Sequence, residues 1–115
     1  VFTDPAQLHA AIRETLADGR PVLLYFYADW CVSCKEMEAL TFNRPEVQAA
    51  VPLDRLFQID MTDNTPAQQA MLREYALFGP PGLFVLYPDG RRSQPLIGSA
   101  KPQEFIAWYQ QLTPP

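Results

Sequence analysis

The sequence predicts an α/β protein built as a mixed β-sheet with helices on both faces. Three observations point there. Segments of helical and extended character alternate along the chain. The apolar, aromatic-rich run 22–27 is too short for a free-standing helix and suits a strand buried on both faces. Asp89-Gly90, between two strand-like segments, is a hairpin-turn signal. Strand–helix–strand units imply parallel pairing with right-handed crossovers, and the hairpin adds an antiparallel pair. At 115 residues the chain is read as one domain, 1–115.

Each element follows from local chemistry. Asp4-Pro5-Ala6-Gln7 opens a helix, with Asp4 as N-cap and Pro5 at the first helical position. Leu8, Ala11, Ile12 and Leu16 keep helical spacing, and Gly19 ends it. After the strand 22–27, residues 32–40 favour helix, with Met37 and Leu40 on one side. Asn43-Arg44-Pro45 kinks or restarts that helix towards Ala50. Residues 56–61 alternate, placing Phe57, Ile59 and Met61 on one face. Thr65-Pro66 caps a helix whose expected inward stripe is Ala67, Ala70, Met71 and Tyr75. Pro80-Pro81-Gly82 excludes helix and central strand, residues 83–87 read as a strand, and 94–98 read as an edge strand because of Pro95. Pro102 opens a last helix with Phe105, Trp108, Tyr109 and Leu112 inward, and 113–115 read as a frayed tail. A short strand at Val1-Phe2 fits before the first helix.

Composition narrows the function. Hydrophobic residues at 48% and charged residues at 19% argue against a disordered chain. A net charge of −4 argues against nucleic acid and against charge-driven binding to an anionic membrane. The longest apolar run, 22–28, is far below the ~20 residues of a spanning helix. Two cysteines and one histidine, His9, cannot complete a four-ligand zinc site without carboxylates, nor a multi-bridge scaffold. His9 suits a surface or helix-packing role, Arg91-Arg92 a solvated pair, and no cofactor is implied. The chain starts at Val1 without methionine or leader, which is read as a processed form or an excised domain.

The chemistry lies in Trp30-Cys31-Val32-Ser33-Cys34-Lys35, where the buried strand hands over to a helix. A bridge between Cys31 and Cys34 closes so short a loop that it adds little stability, so the pair is suited to making and breaking the bond. Helix N–H groups favour a thiolate at Cys31, and Cys34, one turn in, can close the disulfide. A metal half-site and an inert thiol pair are the competing readings.

The segment Tyr27-Ala28-Asp29-Trp30-Cys31-Val32-Ser33-Cys34-Lys35-Glu36-Met37-Glu38 resembles the active-site segment of thioredoxin-fold proteins. With Thr41-Phe42 and Phe78-Gly79-Pro80-Pro81, it more closely resembles the C-terminal periplasmic domains of the DsbD family of transmembrane thiol:disulfide interchange proteins. The resemblance covers nearly the whole chain. It implies a thioredoxin-like fold and a protein-disulfide reductase domain within a larger inner-membrane protein, facing the periplasm. Such a domain takes two electrons from the membrane domain and passes them to the N-terminal periplasmic domain, on the route to disulfide isomerases and cytochrome c biogenesis. It implies Cys31 as attacking and Cys34 as resolving thiol, transient mixed disulfides, and a monomer that does not itself cross the membrane. A free-standing thioredoxin-like reductant and a non-catalytic interaction module are the alternatives.

The resemblance also sorts the surrounding residues. Glu38 becomes an acid near the site, and with Asp29 and Glu36 it opposes thiolate formation, whereas Lys35 favours it. Pro81 matches the cis-proline of the fold. Trp30, Val32, Ser33, Pro80 and Gly98 line the expected partner surface. Two departures stand out. Tyr25 occupies a position where the family usually has a buried aspartate. Pro80, preceding Pro81, has no N–H to donate to a docked substrate strand. Gly82, in place of a common threonine, is expected to let backbone or solvent approach closely.

Overall fold

A computed structural model describes residues 1–114; Pro115, part of the expected tail, lies outside the described residues. The elements in chain order are α1 (Pro5–Leu16), β1 (Val22–Tyr27), α2 (Val32–Met37), a π-helical turn (Glu38–Phe42), α3 (Pro45–Ala50), a 3-10 turn (Leu53–Arg55), β2 (Leu56–Asp60), α4 (Pro66–Glu74), β3 (Gly82–Leu86), β4 (Leu96–Ile97) and α5 (Pro102–Leu112). The sheet order is β2-β1-β3-β4, with β1 parallel to β2 and the other neighbours antiparallel. Phe2 adds a parallel bridge to Ile59 on the outer edge of β2.

All six residues of β1 are buried. Successive side chains point to opposite faces of a sheet, and the aromatic residues sort accordingly. Tyr25 meets Phe42 edge-on at 5.2 Å, and Phe42 meets Phe105 of α5 at 5.5 Å. From the other face, Phe26 and the β3 residue Phe84 both pack against Tyr75 at the end of α4, at 5.3 and 5.1 Å. His9 of α1 joins that second layer through its Nε2, 3.0 Å from the Tyr75 hydroxyl. Arg92 is not simply solvated, since its guanidinium lies 4.6 Å from the Tyr75 ring centre and donates to the Glu74 carbonyl. Arg91 pairs with Asp89 in the turn.

Several expectations need correction. Leu40 does not share the face of Met37; it is 63% exposed. The π-turn closes i→i+5 bonds, so each residue advances through a smaller angle than in an α-helix. Thr41 therefore turns inward instead, and its buried hydroxyl donates to the Ala100 carbonyl. On α4, Ala67 and Ala70 are exposed, and the inward face is Gln68, Met71 and Tyr75 with Leu72 beside them. The polar Gln68 is inside because its amide has partners there. Its Nε2 donates to the carbonyls of Thr3 and Asp60 at 2.8 and 3.0 Å, and its Oε1 accepts the Thr65 N–H at 3.0 Å. Gly82 begins β3, a central strand, so the proline pair marks the strand's entrance without displacing it. The edge strand expected over 94–98 is only Leu96–Ile97.

Gln68→Ala should lower stability by roughly 3 kcal/mol, because the buried amide's three hydrogen bonds to the backbone of Thr3, Asp60 and Thr65 are lost at about 1 kcal/mol each. Urea unfolding measures this; a loss below about 1 kcal/mol would mean that water replaces the amide.

Candidate functional site

The register of the sheet collects the site. Tyr27 at the end of β1 stands opposite Asp60 at the end of β2, and Phe26 stands opposite Gly82 at the start of β3. Gly82 in turn pairs with Ile97 at the end of β4. Four chain segments therefore leave one end of the sheet together: Ala28–Cys31, Met61–Thr62, Pro80–Pro81 and Gly98. Turning into α2 is local work, with the Cys31 N–H donating to the Ala28 carbonyl at 3.1 Å.

Cys31 is the N-cap of α2, and its Sγ accepts the Cys34 N–H at 3.1 Å. One of the unpaired helix N–H groups is thus aimed at that sulfur. The two cysteines are joined as a disulfide, with Cα atoms 5.2 Å apart. They differ in access: Cys31 is 6% exposed and Cys34 is fully buried. An incoming group can reach only the outer sulfur.

Lys35 does not project freely towards Cys31. Its Nζ donates to the Tyr27 hydroxyl at 2.7 Å, and that hydroxyl donates to Asp29 Oδ1 at 2.7 Å. The hydrogen bond to Tyr27 raises the Lys35 pKa and keeps the ammonium charged. The Lys35 ammonium pulls the Tyr27 phenol down, but the Asp29 hydrogen bond, burial and the Asp29 charge outweigh it, so the phenol stays protonated and bridges the two charges. Lys35 and Asp29 therefore act near Cys31 as a tethered pair of opposite sign, which weakens both single-charge effects expected from sequence.

Tyr25 is fully buried, and its hydroxyl donates a long bond, 3.5 Å, to the Cys34 carbonyl. Burial first, then the charge of Glu38, pushes its pKa well above the usual phenol value. At neutral pH it is a neutral group beneath Cys34. Glu38, half-buried at the start of the π-turn, brings its negative charge to bear on both Tyr25 and Lys35.

Trp30 and Val32 stand out at 59% and 72% exposure, with Ser33, Pro80 and Gly98 half-buried nearby in the topology and Pro81 buried. The Pro80–Pro81 peptide bond is cis, and the Gly98 N–H lies 3.4 Å from the Pro81 carbonyl. Gly82 has a different use from the one expected. A Cβ there would lie 2.8 Å from Leu77 Cδ1, so a side chain and not solvent fills that space. Sequence reasoning missed Thr62. Its hydroxyl accepts the Asp29 N–H at 2.9 Å, and its carbonyl accepts the Trp30 indole N–H at 3.2 Å. The available signal was its place just past the second parallel strand, at the end of the sheet where such folds bind ligands.

Residues 8–113 match the family model of the thioredoxin-like domain. The chain is 57% identical over 113 residues to the thiol:disulfide interchange protein DsbD of Neisseria meningitidis, covering 96% of this chain and 19% of that protein. It is 49% identical over 89 residues to DsbD 1 of Pseudomonas aeruginosa, covering 77% of this chain and 15% of that protein. The chain thus spans about a fifth or less of the length of these curated relatives. It superposes on the oxidised DsbD C-terminal domain of Neisseria meningitidis with a TM-score of 0.92 at 57% identity, covering 96% of this chain and 97% of that one. A thioredoxin from Thermus thermophilus matches with a TM-score of 0.70 at 26% identity, covering 96% and 85%.

The raised Tyr25 pKa has a signed consequence. The folded chain holds the neutral phenol, so its stabilising share is complete below the ordinary value of 10.0 and declines above it, as the unfolded chain ionises first. Between about pH 8 and about pH 11, the wild type should lose about 1.4 kcal/mol more stability than Tyr25→Phe. Urea unfolding at both pH values checks this; equal losses would show the phenol ionising in the folded state too.

Proposed function

The chain belongs to the thioredoxin-like domain family, among the DsbD C-terminal domains, and on that premise we propose that it is a protein-disulfide reductase domain relaying electron pairs by dithiol–disulfide exchange. One observation carries the reading: Cys31 and Cys34 form a disulfide whose outer sulfur caps a helix and whose inner sulfur is sealed below it.

The steps balance in sulfur and in electrons. In the reduced domain, the Cys31 thiolate attacks one sulfur of a partner disulfide. A mixed disulfide forms, and the partner's other sulfur leaves as a thiolate that takes up a proton. Cys34, having lost its proton, then attacks Cys31 Sγ. The Cys31–Cys34 bond forms, and the partner's first sulfur leaves as its second thiolate. The partner gains two electrons and the domain loses two. A donor dithiol of the membrane domain restores the reduced pair by the reverse sequence. The electrons move between sulfur atoms throughout, so the reading calls for no cofactor.

The residues around the pair have matching parts. The Cys34 N–H, already directed at Cys31 Sγ, stabilises the thiolate that starts the reaction. Tyr25 puts a neutral hydroxyl, in place of a carboxylate, below Cys34. Glu38 adds negative charge that opposes thiolate formation. Trp30, Val32, Ser33 and Gly98 provide the contact surface. Pro80 contributes only its carbonyl to a docked strand. The domain works as a monomer on the periplasmic side of the membrane, as the C-terminal part of a larger membrane protein, with that protein's membrane domain and N-terminal domain as donor and acceptor.

Weak thiolate stabilisation makes the reduced form less stable and the potential low. We expect a value between about −270 and about −200 mV, measured against glutathione; a value above about −150 mV would identify an oxidant instead. The decisive test is trapping. Cys34→Ser should accumulate mixed disulfides through Cys31 with the other domains of its parent protein, and Cys31→Ser should form none. Absence of adducts with Cys34→Ser, or equal adducts with both variants, overturns the proposal.

A further inference from the structure

We propose that Thr62 is a positioning residue for protein partners, holding the Trp30 indole as a fixed plate beside Cys31. The inference rests on the reading above, in which Trp30 belongs to the contact surface.

Trp30 is 59% exposed, so burial alone does not fix the ring. Its indole N–H is held by the Thr62 carbonyl at 3.2 Å. The preceding backbone is held too, by the Asp29 N–H bonded to Thr62 Oγ1 at 2.9 Å. A hydroxyl can donate once while accepting, and the Thr62 proton goes to Asp60 Oδ1, which also accepts the Thr62 N–H at 2.9 Å. Asp60 is anchored in turn. It belongs to β2, stands opposite Tyr27, and donates its N–H to the Phe2 carbonyl. The parallel register brings Thr62 to residues 32 and 33 positions earlier in the chain, and Thr62 engages the two residues directly before the attacking cysteine. An exposed indole kept in one orientation loses less conformational freedom when a partner covers it. That benefit is selective, because a small disulfide needs only the sulfur whereas a protein disulfide must also rest on the ring.

The test uses the reduced chain as wild type, Thr62→Val and Thr62→Ser. Valine keeps the shape and removes both hydroxyl bonds; serine keeps both. Rate constants are measured for reduction of insulin and of oxidised glutathione. Solvent exchange of the Trp30 indole N–H is followed by NMR, where buried Trp108 serves as the internal reference. In Thr62→Val the backbone carbonyl remains but loses the hydroxyl ties to Asp29 and Asp60 that fix its place, so the ratio of insulin to glutathione rate constants should fall about fivefold. Indole exchange should rise by about the same factor, and Thr62→Ser should restore both. If Thr62→Val does not fold, Thr62→Ala takes its place. An unchanged ratio, an equal fall with both substrates, or a failure of serine to restore it overturns the proposal. If the wild type reduces neither substrate, the reductase reading fails; indole exchange then decides alone whether Thr62 holds the ring.

Discussion

Everything at the site depends on the immobility of β1. Its side chains are buried on both faces, and its backbone is bonded to β2 on one edge and β3 on the other. A strand held on four sides cannot slide, because a slip of one residue would reverse every side chain. Cys31 comes four residues after this strand ends, too few to wander. Cys31 Sγ is thus positioned by a hydrophobic core with no chemistry of its own.

Charge near the cysteines is arranged more conservatively than the residue list suggests. Asp29 and Lys35 are tied through one phenol, so neither acts as an isolated ion. Tyr25 puts a neutral hydroxyl beneath Cys34. What remains is the helix N–H aimed at Cys31 and the charge of Glu38 behind it. The proposed low potential rests on this arrangement, in which one helix N–H and no added cation supports a Cys31 thiolate.

Much of this was legible in the sequence. The strand 22–27, the caps at Asp4 and Thr65, the Asp89-Gly90 turn and the inward face of α5 follow from periodicity and local chemistry, and the structure has them. The errors on the helix faces have one physical source. Apolar spacing says which side chains prefer the interior, but not which polar ones can be satisfied there. Gln68 displaces alanines from the inner face of α4 because three backbone groups await its amide. Thr41 displaces Leu40 because a wider helical turn rotates the register and the Ala100 carbonyl receives its hydroxyl. Thr62 was missed for a related reason: its value lies in contacts more than thirty residues away, and parallel pairing alone does not say which side chain past the strand makes them.

The sheet's two margins are closed by modest means. On one side the backbone of Phe2 pairs with β2, its N–H to Gln58 and its carbonyl to Asp60. On the other, β4 is two residues long and follows Pro95. Neither border offers a long ladder of free amides and carbonyls, the usual invitation to edge-on self-association and cross-β stacking. Copies crowded together would therefore find little reason to zip into one another.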